Sequence, residues 1–253
     1  MPSTKPEDPV HQHHHSSHLS RQMSLDVHGH AGQPAIVFPC LAGRFSDYAD
    51  FGMVEALSPW LAAGQLRLFC VDSIDAESWT ATHEHPGHRA WLQESYHRYV
   101  AEEVVGLVRE QTGWAEPLIA TGNSMGGMHA AISFFRRPDL FNTFIAFSGI
   151  YDAGYFFGDA QDPFVADNSP LRLLADLPDD HPWLDRYRHS HIHTAIGQGA
   201  WEDALLPSNH ALASLLAGRG VPAQVEFWGE DVSHDWPWWH KMATHAFGTL
   251  KPL

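Results

Sequence analysis

The sequence predicts an α/β fold, with a mostly parallel central sheet and helices on both faces. Short continuous apolar runs, such as residues 35–39 and 65–71, alternate along the chain with amphipathic runs, such as residues 50–63 and 89–111. Continuous apolar strands are those buried on both faces, and such burial needs helices above and below the sheet. At residues 117–129 a strand signal also passes straight into a helix through Gly122-Asn123-Ser124-Met125-Gly126, a strand–turn–helix unit. No internal repeat or linker divides the 253 residues, so residues 23–253 are expected to form one domain.

The N-terminus opens with a polar segment, residues 1–22, expected to be partly disordered because its first nine residues lack periodicity. The run from His11 to His18 is low in complexity and reads as a solvated tail or an edge strand rather than an adventitious metal site. Residues 23–28 alternate loosely and can pair with a neighbour. Residues 31–34 form a turn, and residues 35–39 (Ala-Ile-Val-Phe-Pro) a buried strand. Residues 50–63 predict one helix with Met53, Leu57 and Leu61 on its inner stripe. A strand at 65–71 and a polar loop at 78–87 follow. The longest helix spans 89–111, where Leu92, Tyr96, Val100, Val104 and Val108 recur every four residues, and Gly113 ends it.

Residues 118–120 are the strand before Ser124, and 125–135 the helix after it. Residues 144–150 again read as a strand. Residues 151–182 are irregular, and a connection of that length reads as a lid insertion. A strand at 191–196, a helix at 205–216, a strand at 221–228 and a C-terminal helix capped by Asp235 complete the alternation.

Composition narrows the function. Thirty acidic against 15 basic residues give a formal charge of −15, which argues against nucleic acid or an anionic membrane as partner. No apolar run is long enough to span a bilayer, and the N-terminus lacks an apolar signal core, so a cytoplasmic protein is expected. The two cysteines, Cys40 and Cys70, agree with a reducing compartment. The sequence leaves a homo-oligomer open.

Gly122-Asn123-Ser124-Met125-Gly126 matches the G-x-S-x-G of a nucleophile elbow, a turn so tight that its flanking positions cannot carry bulky side chains. Taken alone the pattern is weak, and Ser124 could merely cap a helix; the strand before it and the helix after it favour chemistry. A serine hydroxyl needs a base, and the base needs an acid to orient it. Catalytic groups of parallel sheets sit on loops at the carboxyl ends of the strands. That rule selects His234 from the 20 histidines, since it lies just after the last strand and before a helix. The acid belongs after the preceding strand, where Glu202 and Asp203 are adjacent. Counting from Gly199 favours Glu202, counting back from Asn209 favours Asp203, and Glu202 is preferred. Two backbone N–H groups should form an oxyanion hole. Met125, next to the nucleophile, supplies one, and the loop after residue 39 the other, Leu41 by register with Cys40 as alternative. Trp79, Tyr155, Phe156, Trp201 and Trp236 lie on loops that could line an acyl pocket, although for any one of them taken singly packing the lid is the preferred reading.

The pattern resembles the esterase D-like branch of the α/β-hydrolases, which includes S-formylglutathione hydrolases, feruloyl esterases and antigen 85 mycolyltransferases. The resemblance rests on Phe38 to Phe45, Gly122 to Gly127, Gly199 to Asp203, and Trp228-Gly229 with His234 to Trp239, and covers roughly residues 23–248. It implies a serine esterase or acyltransferase, here read as an esterase acting on a small-molecule ester or thioester, with no metal and no cofactor. It departs at Cys40, where many relatives carry Gly or Thr. An acyltransferase with the same triad, and an inactive hydrolase fold serving as a binding protein, are the rival readings. His83-Glu84-His85-Pro86-Gly87-His88 has a spacing that suits no closed zinc site, so no metal is expected there.

Overall fold

The computed structural model describes residues 9–250. One eight-stranded sheet runs through it: β1 (Val10–Ser16), β2 (Arg21–His28), β3 (Gln33–Phe38), β4 (Leu66–Val71), β5 (Leu118–Asn123), β6 (Phe141–Phe147), β7 (His191–Ile196) and β8 (Gln224–Phe227). Their spatial order is β1-β2-β4-β3-β5-β6-β7-β8, with β1 and β2 antiparallel and the other strands mutually parallel. In that order the loops after β3, β5, β6, β7 and β8 open side by side on one edge, where the site is assembled.

Both faces are covered. The helices Pro86–Thr112, Met125–Arg136 and Leu206–Gly218 pack one face around Tyr96, Val104, Phe134 and Leu212. The short helices between residues 47 and 62 and the C-terminal helix Trp236–Gly248 pack the other around Met53, Leu68, Ile145 and Met242. A third cluster, with Trp79, Met128, Ile132 and Phe157, seats the 151–182 insertion.

Three features differ from expectation. First, the sheet starts at Val10 rather than Met23. The histidine-rich run is the edge strand β1, fastened by cross-strand pairs: His11 Nδ1 meets Asp26 Oδ1 at 2.6 Å and His13 Nδ1 meets Ser24 Oγ at 3.0 Å, both directly opposite in register. On the other face His14 stacks on Tyr99 with ring centroids 5.6 Å apart. The expected disorder of residues 1–8 falls outside the described residues.

Second, residues 50–63 are not one helix. Asp47–Asp50, Met53–Ala56 and Ser58–Ala62 are separate turns, because Gly52 takes a left-handed φ of 82° and Pro59 restarts the chain at a new N-terminus. Third, the long helix contains a π-helical segment, Tyr99–Val104. Apolar residues every four positions drift by about 40° per repeat on an α-helix of 3.6 residues per turn. The wider π turn brings Val104 and Val108 back onto the core, and both are fully buried.

Candidate active site

The elbow is set by close backbone approach. A Cβ at Gly122 would lie 2.5 Å from the carbonyl carbon of Gly126, and one at Gly126 would lie 2.2 Å from the Phe38 carbonyl oxygen. Only glycine fits either place. Between them Ser124 adopts φ 54° and ψ −121°, strained for a side-chain-bearing residue. The Ser124 amide donates to the Phe147 carbonyl at 2.8 Å, tying the turn to β6.

Ser124 Oγ lies 2.9 Å from His234 Nε2, and His234 Nδ1 lies 3.0 Å from Glu202 Oε2. The loop carrying His234 is joined to the loop carrying Glu202, since the His234 amide donates to the Ala200 carbonyl at 3.0 Å and the Gly199 amide to the Val232 carbonyl at 2.9 Å. Trp201 turns through a left-handed φ of 71° and stands 84% exposed. That turn drives Glu202 inward to full burial and leaves Asp203 in solvent. Asp203 therefore does not reach His234.

Two side chains not singled out from sequence extend the line. Ser148, at the end of β6, donates its hydroxyl to Glu202 Oε1 at 2.5 Å and accepts the Trp239 indole N–H at 3.0 Å. The ring of Trp239 also lies edge-on to His234, with centroids 4.8 Å apart. Each carboxylate oxygen of Glu202 thus has one partner, and the carboxylate is fixed at both ends. The signal available in the sequence was only a serine at the end of a buried strand, on the same edge as Ser124.

On the other side of Ser124, the loop after β3 is held by Asp75. Its Oδ1 lies 2.8 Å from His129 Nε2 on the elbow helix, and its Oδ2 accepts the Ala42 amide at 3.3 Å. Asp75 and His129 are buried. This clamp secures the backbone next to Leu41 to the helix that begins at Met125. Burial, followed by the nearby Asp47 and Asp75 carboxylates, pushes the Cys40 thiol up, so Cys40 stays protonated at neutral pH and is no thiolate nucleophile.

The pocket beside Ser124 and His234 encloses about 160 Å³. Leu41, Met125, Ile150 and Leu205 make its apolar wall; Tyr155, Phe156 and Trp201 stand around its mouth. The insertion contributes Tyr155 and Phe156 and is tied to the body of the protein. Arg89 donates to the Phe156 carbonyl at 3.1 Å, and the Asn168 amide donates to Glu94 at 3.3 Å. Trp79 and Trp236 do not line the pocket. Trp79 is fully buried, with its indole N–H on Gln93 at 2.7 Å, and packs behind Phe156 with ring centroids 5.2 Å apart. Trp236 starts the C-terminal helix and stacks on Phe51 at 4.9 Å.

No curated protein sequence matches the chain. Among solved structures it is similar to a ferulic acid esterase, with a TM-score of 0.73 and 18% identity over 96% of this chain and 97% of that one. An S-formylglutathione hydrolase from Staphylococcus aureus aligns with a TM-score of 0.71 and 15% identity, over 95% and 97% of the two chains. MPT51 from Mycobacterium tuberculosis aligns with 0.65 and 12%, over 94% and 97%. At these identities the likeness is one of fold, the α/β-hydrolase fold. A sequence-family model described as "Putative esterase" matches residues 47–250, most of the chain. On that match the protein belongs to the Esterase family.

Proposed function

We propose that the protein is a serine esterase that cleaves carboxylic esters or thioesters of small, apolar acyl groups through an acyl-enzyme on Ser124. The observation that carries the reading is the unbroken hydrogen-bonded line from Ser124 through His234 to Glu202. His234 takes the Ser124 proton as the hydroxyl oxygen attacks the acyl carbon, and Glu202 holds the resulting imidazolium in orientation. The N–H groups of Leu41 and Met125, both at the pocket wall, would receive the oxyanion at the N-terminus of the elbow helix. His234 then protonates the leaving alcohol or thiol, and a water activated by the same base releases the acid.

The His234 side chain keeps 18% of its surface exposed, so water can reach the base for deacylation. An apolar cavity of about 150 Å³ holds one benzene ring, so the 160 Å³ pocket suits a short acyl chain or a single ring. The names of the structural neighbours, a ferulic acid esterase and an S-formylglutathione hydrolase, fall within that range. Cys40 and Cys70 are both free thiols, as suits the reducing cytoplasm proposed as its location. No helix among the described residues is long and apolar enough to cross a membrane.

Stopped-flow hydrolysis of p-nitrophenyl acetate tests the proposal. A burst of one product equivalent is expected, with Ser124→Ala losing about 10⁵–10⁶ in kcat. Turnover unchanged in that variant would exclude Ser124 as nucleophile. Product analysis with an added acceptor alcohol separates the esterase from an acyltransferase.

A further inference from the structure

Outside the pocket, on the flank of the sheet where β8 is the edge strand, His193 of β7, Glu226 of β8 and His245 of the C-terminal helix converge. Glu226 Oε1 lies 3.1 Å from His193 Nε2 and 3.0 Å from His245 Nε2, and all three atoms lie within 4.8 Å of one another. Bonds of about 2.0–2.1 Å in a tetrahedral zinc site place neighbouring donor atoms about 3.3 Å apart. The two histidine–glutamate separations are close to that spacing.

Hydrogen bonding around the cluster directs lone pairs inward. The Thr249 hydroxyl donates to the Ala246 carbonyl at 2.7 Å, so toward His193 Nδ1, 3.4 Å away, its oxygen can only accept. A proton on His193 Nδ1 would donate to that oxygen and turn a bare Nε2 toward the Glu226 carboxylate. Two lone pairs in that position need a cation between them, a proton or a metal ion. The Trp228 indole donates to Glu226 Oε2 at 2.8 Å, leaving Oε1 for the cluster. A histidine anchored through its other nitrogen and a carboxylate anchored through its other oxygen are the outer-shell contacts of a metal site.

We propose that His193, Glu226 and His245 bind one divalent cation of the zinc class. Two imidazoles and a carboxylate suit such an ion better than calcium or magnesium. His193 is fully buried and His245 half exposed, so the ion enters from the His245 side, and water completes its coordination. The ion would link β7, the edge strand β8 and the C-terminal helix, whose first turn lies directly after His234. Its role is to hold that helix, since none of the three ligands lines the pocket. The ligands come from three separate elements, so no motif spacing announces them in the sequence.

Cobalt(II) and zinc(II) added to the full-length, untagged, chelator-treated protein test the site. Cobalt should bind with one equivalent and give the visible absorption of a tetrahedral ion, which zinc removes. At a free zinc concentration 100 times the dissociation constant, the folded-to-unfolded ratio rises about a hundredfold, a Tm increase of roughly 5–10 °C for a chain of this size. His245→Ala, at a half-exposed position, should retain the Tm of the metal-free protein and lose both the cobalt band and the zinc shift. A double variant, His11→Gln with His13→Gln, should keep both, because those histidines belong to β1. Absence of a zinc-dependent shift, survival of the shift in His245→Ala, or its loss in the β1 variant would each overturn the proposal.

Discussion

Glu202→Gln compared with Asp203→Asn isolates the acid of the proposed triad. Glu202 has Oε2 on His234 Nδ1 at 3.0 Å and Oε1 on the Ser148 hydroxyl. A glutamine fits the same space, its oxygen accepting from His234 and its NH₂ donating to Ser148, whose own proton turns away. Packing and tautomer are thereby kept, and only the negative charge is removed. That charge matters when His234 becomes an imidazolium in the transition state. With charge centres about 4 Å apart and an effective dielectric near 20, the attraction is about 4 kcal/mol. Lost in full, it slows the chemical step about 10³-fold. If the amide settles the other way round, its NH₂ faces His234, the tautomer is wrong, and the loss approaches 10⁴. The assay is steady-state hydrolysis of p-nitrophenyl acetate, with Tm measured alongside. Glu202→Gln should lower kcat by about 10³ with little change in KM. Asp203 is solvent-exposed, and Asp203→Asn should stay within about twofold of the parent. Equal losses in the two variants, or more than a tenth of the rate retained in Glu202→Gln, would refute the assignment.

Ser148→Ala removes a hydrogen bond to a buried carboxylate, worth about 1.5–3 kcal/mol, and should lower kcat by roughly 10–150-fold with KM nearly unchanged, read in the same assay. Asp75→Ala leaves His129 buried without its hydrogen-bond partner and frees the Ala42 amide. A destabilisation of about 1–3 kcal/mol is expected in urea unfolding, and kcat should fall if the Ala42 contact positions Leu41. His97 is held well below its ordinary pKa by burial, reinforced by the positive charges of Arg136, Arg137 and Arg98. Its unfolded form takes a proton near pH 6.5 that the folded form refuses. The stabilisation it contributes is therefore present above about pH 6.5 and is lost as the pH falls below it, by up to about 1.4 kcal/mol per pH unit. Urea midpoints at pH 7.0 and 5.5 should differ less in His97→Gln than in the parent.

Much of the fold was legible because its signals are local. Continuous apolar runs mark strands covered on both faces, and the order of strands and helices implies parallel crossovers whose loops share an edge. That Ser124, a carboxylate at 202–203 and His234 would meet on that edge follows from chain order alone. The need for glycine at 122 was legible for the same reason, since it is set by Gly126 four residues on, whereas Gly126 itself is pressed by the Phe38 carbonyl of β3.

Tertiary structure decided whatever depends on side-chain direction and on contacts between distant segments. The left-handed turn at Trp201 sends Glu202 in and Asp203 out, although both are acidic and adjacent. Ser148 and Trp239, 91 residues apart, join the line only because β6 and the C-terminal helix meet beneath the site. Trp79 and Trp236 are as aromatic as Trp201, yet one packs under the insertion and the other stacks on Phe51. The histidine-rich run reads equally as a solvated tail or an edge strand until the Asp26 and Ser24 side chains of β2 stand opposite it and make it the edge strand. Strand register and long-range packing make these choices, and neither is encoded in any short window of the chain.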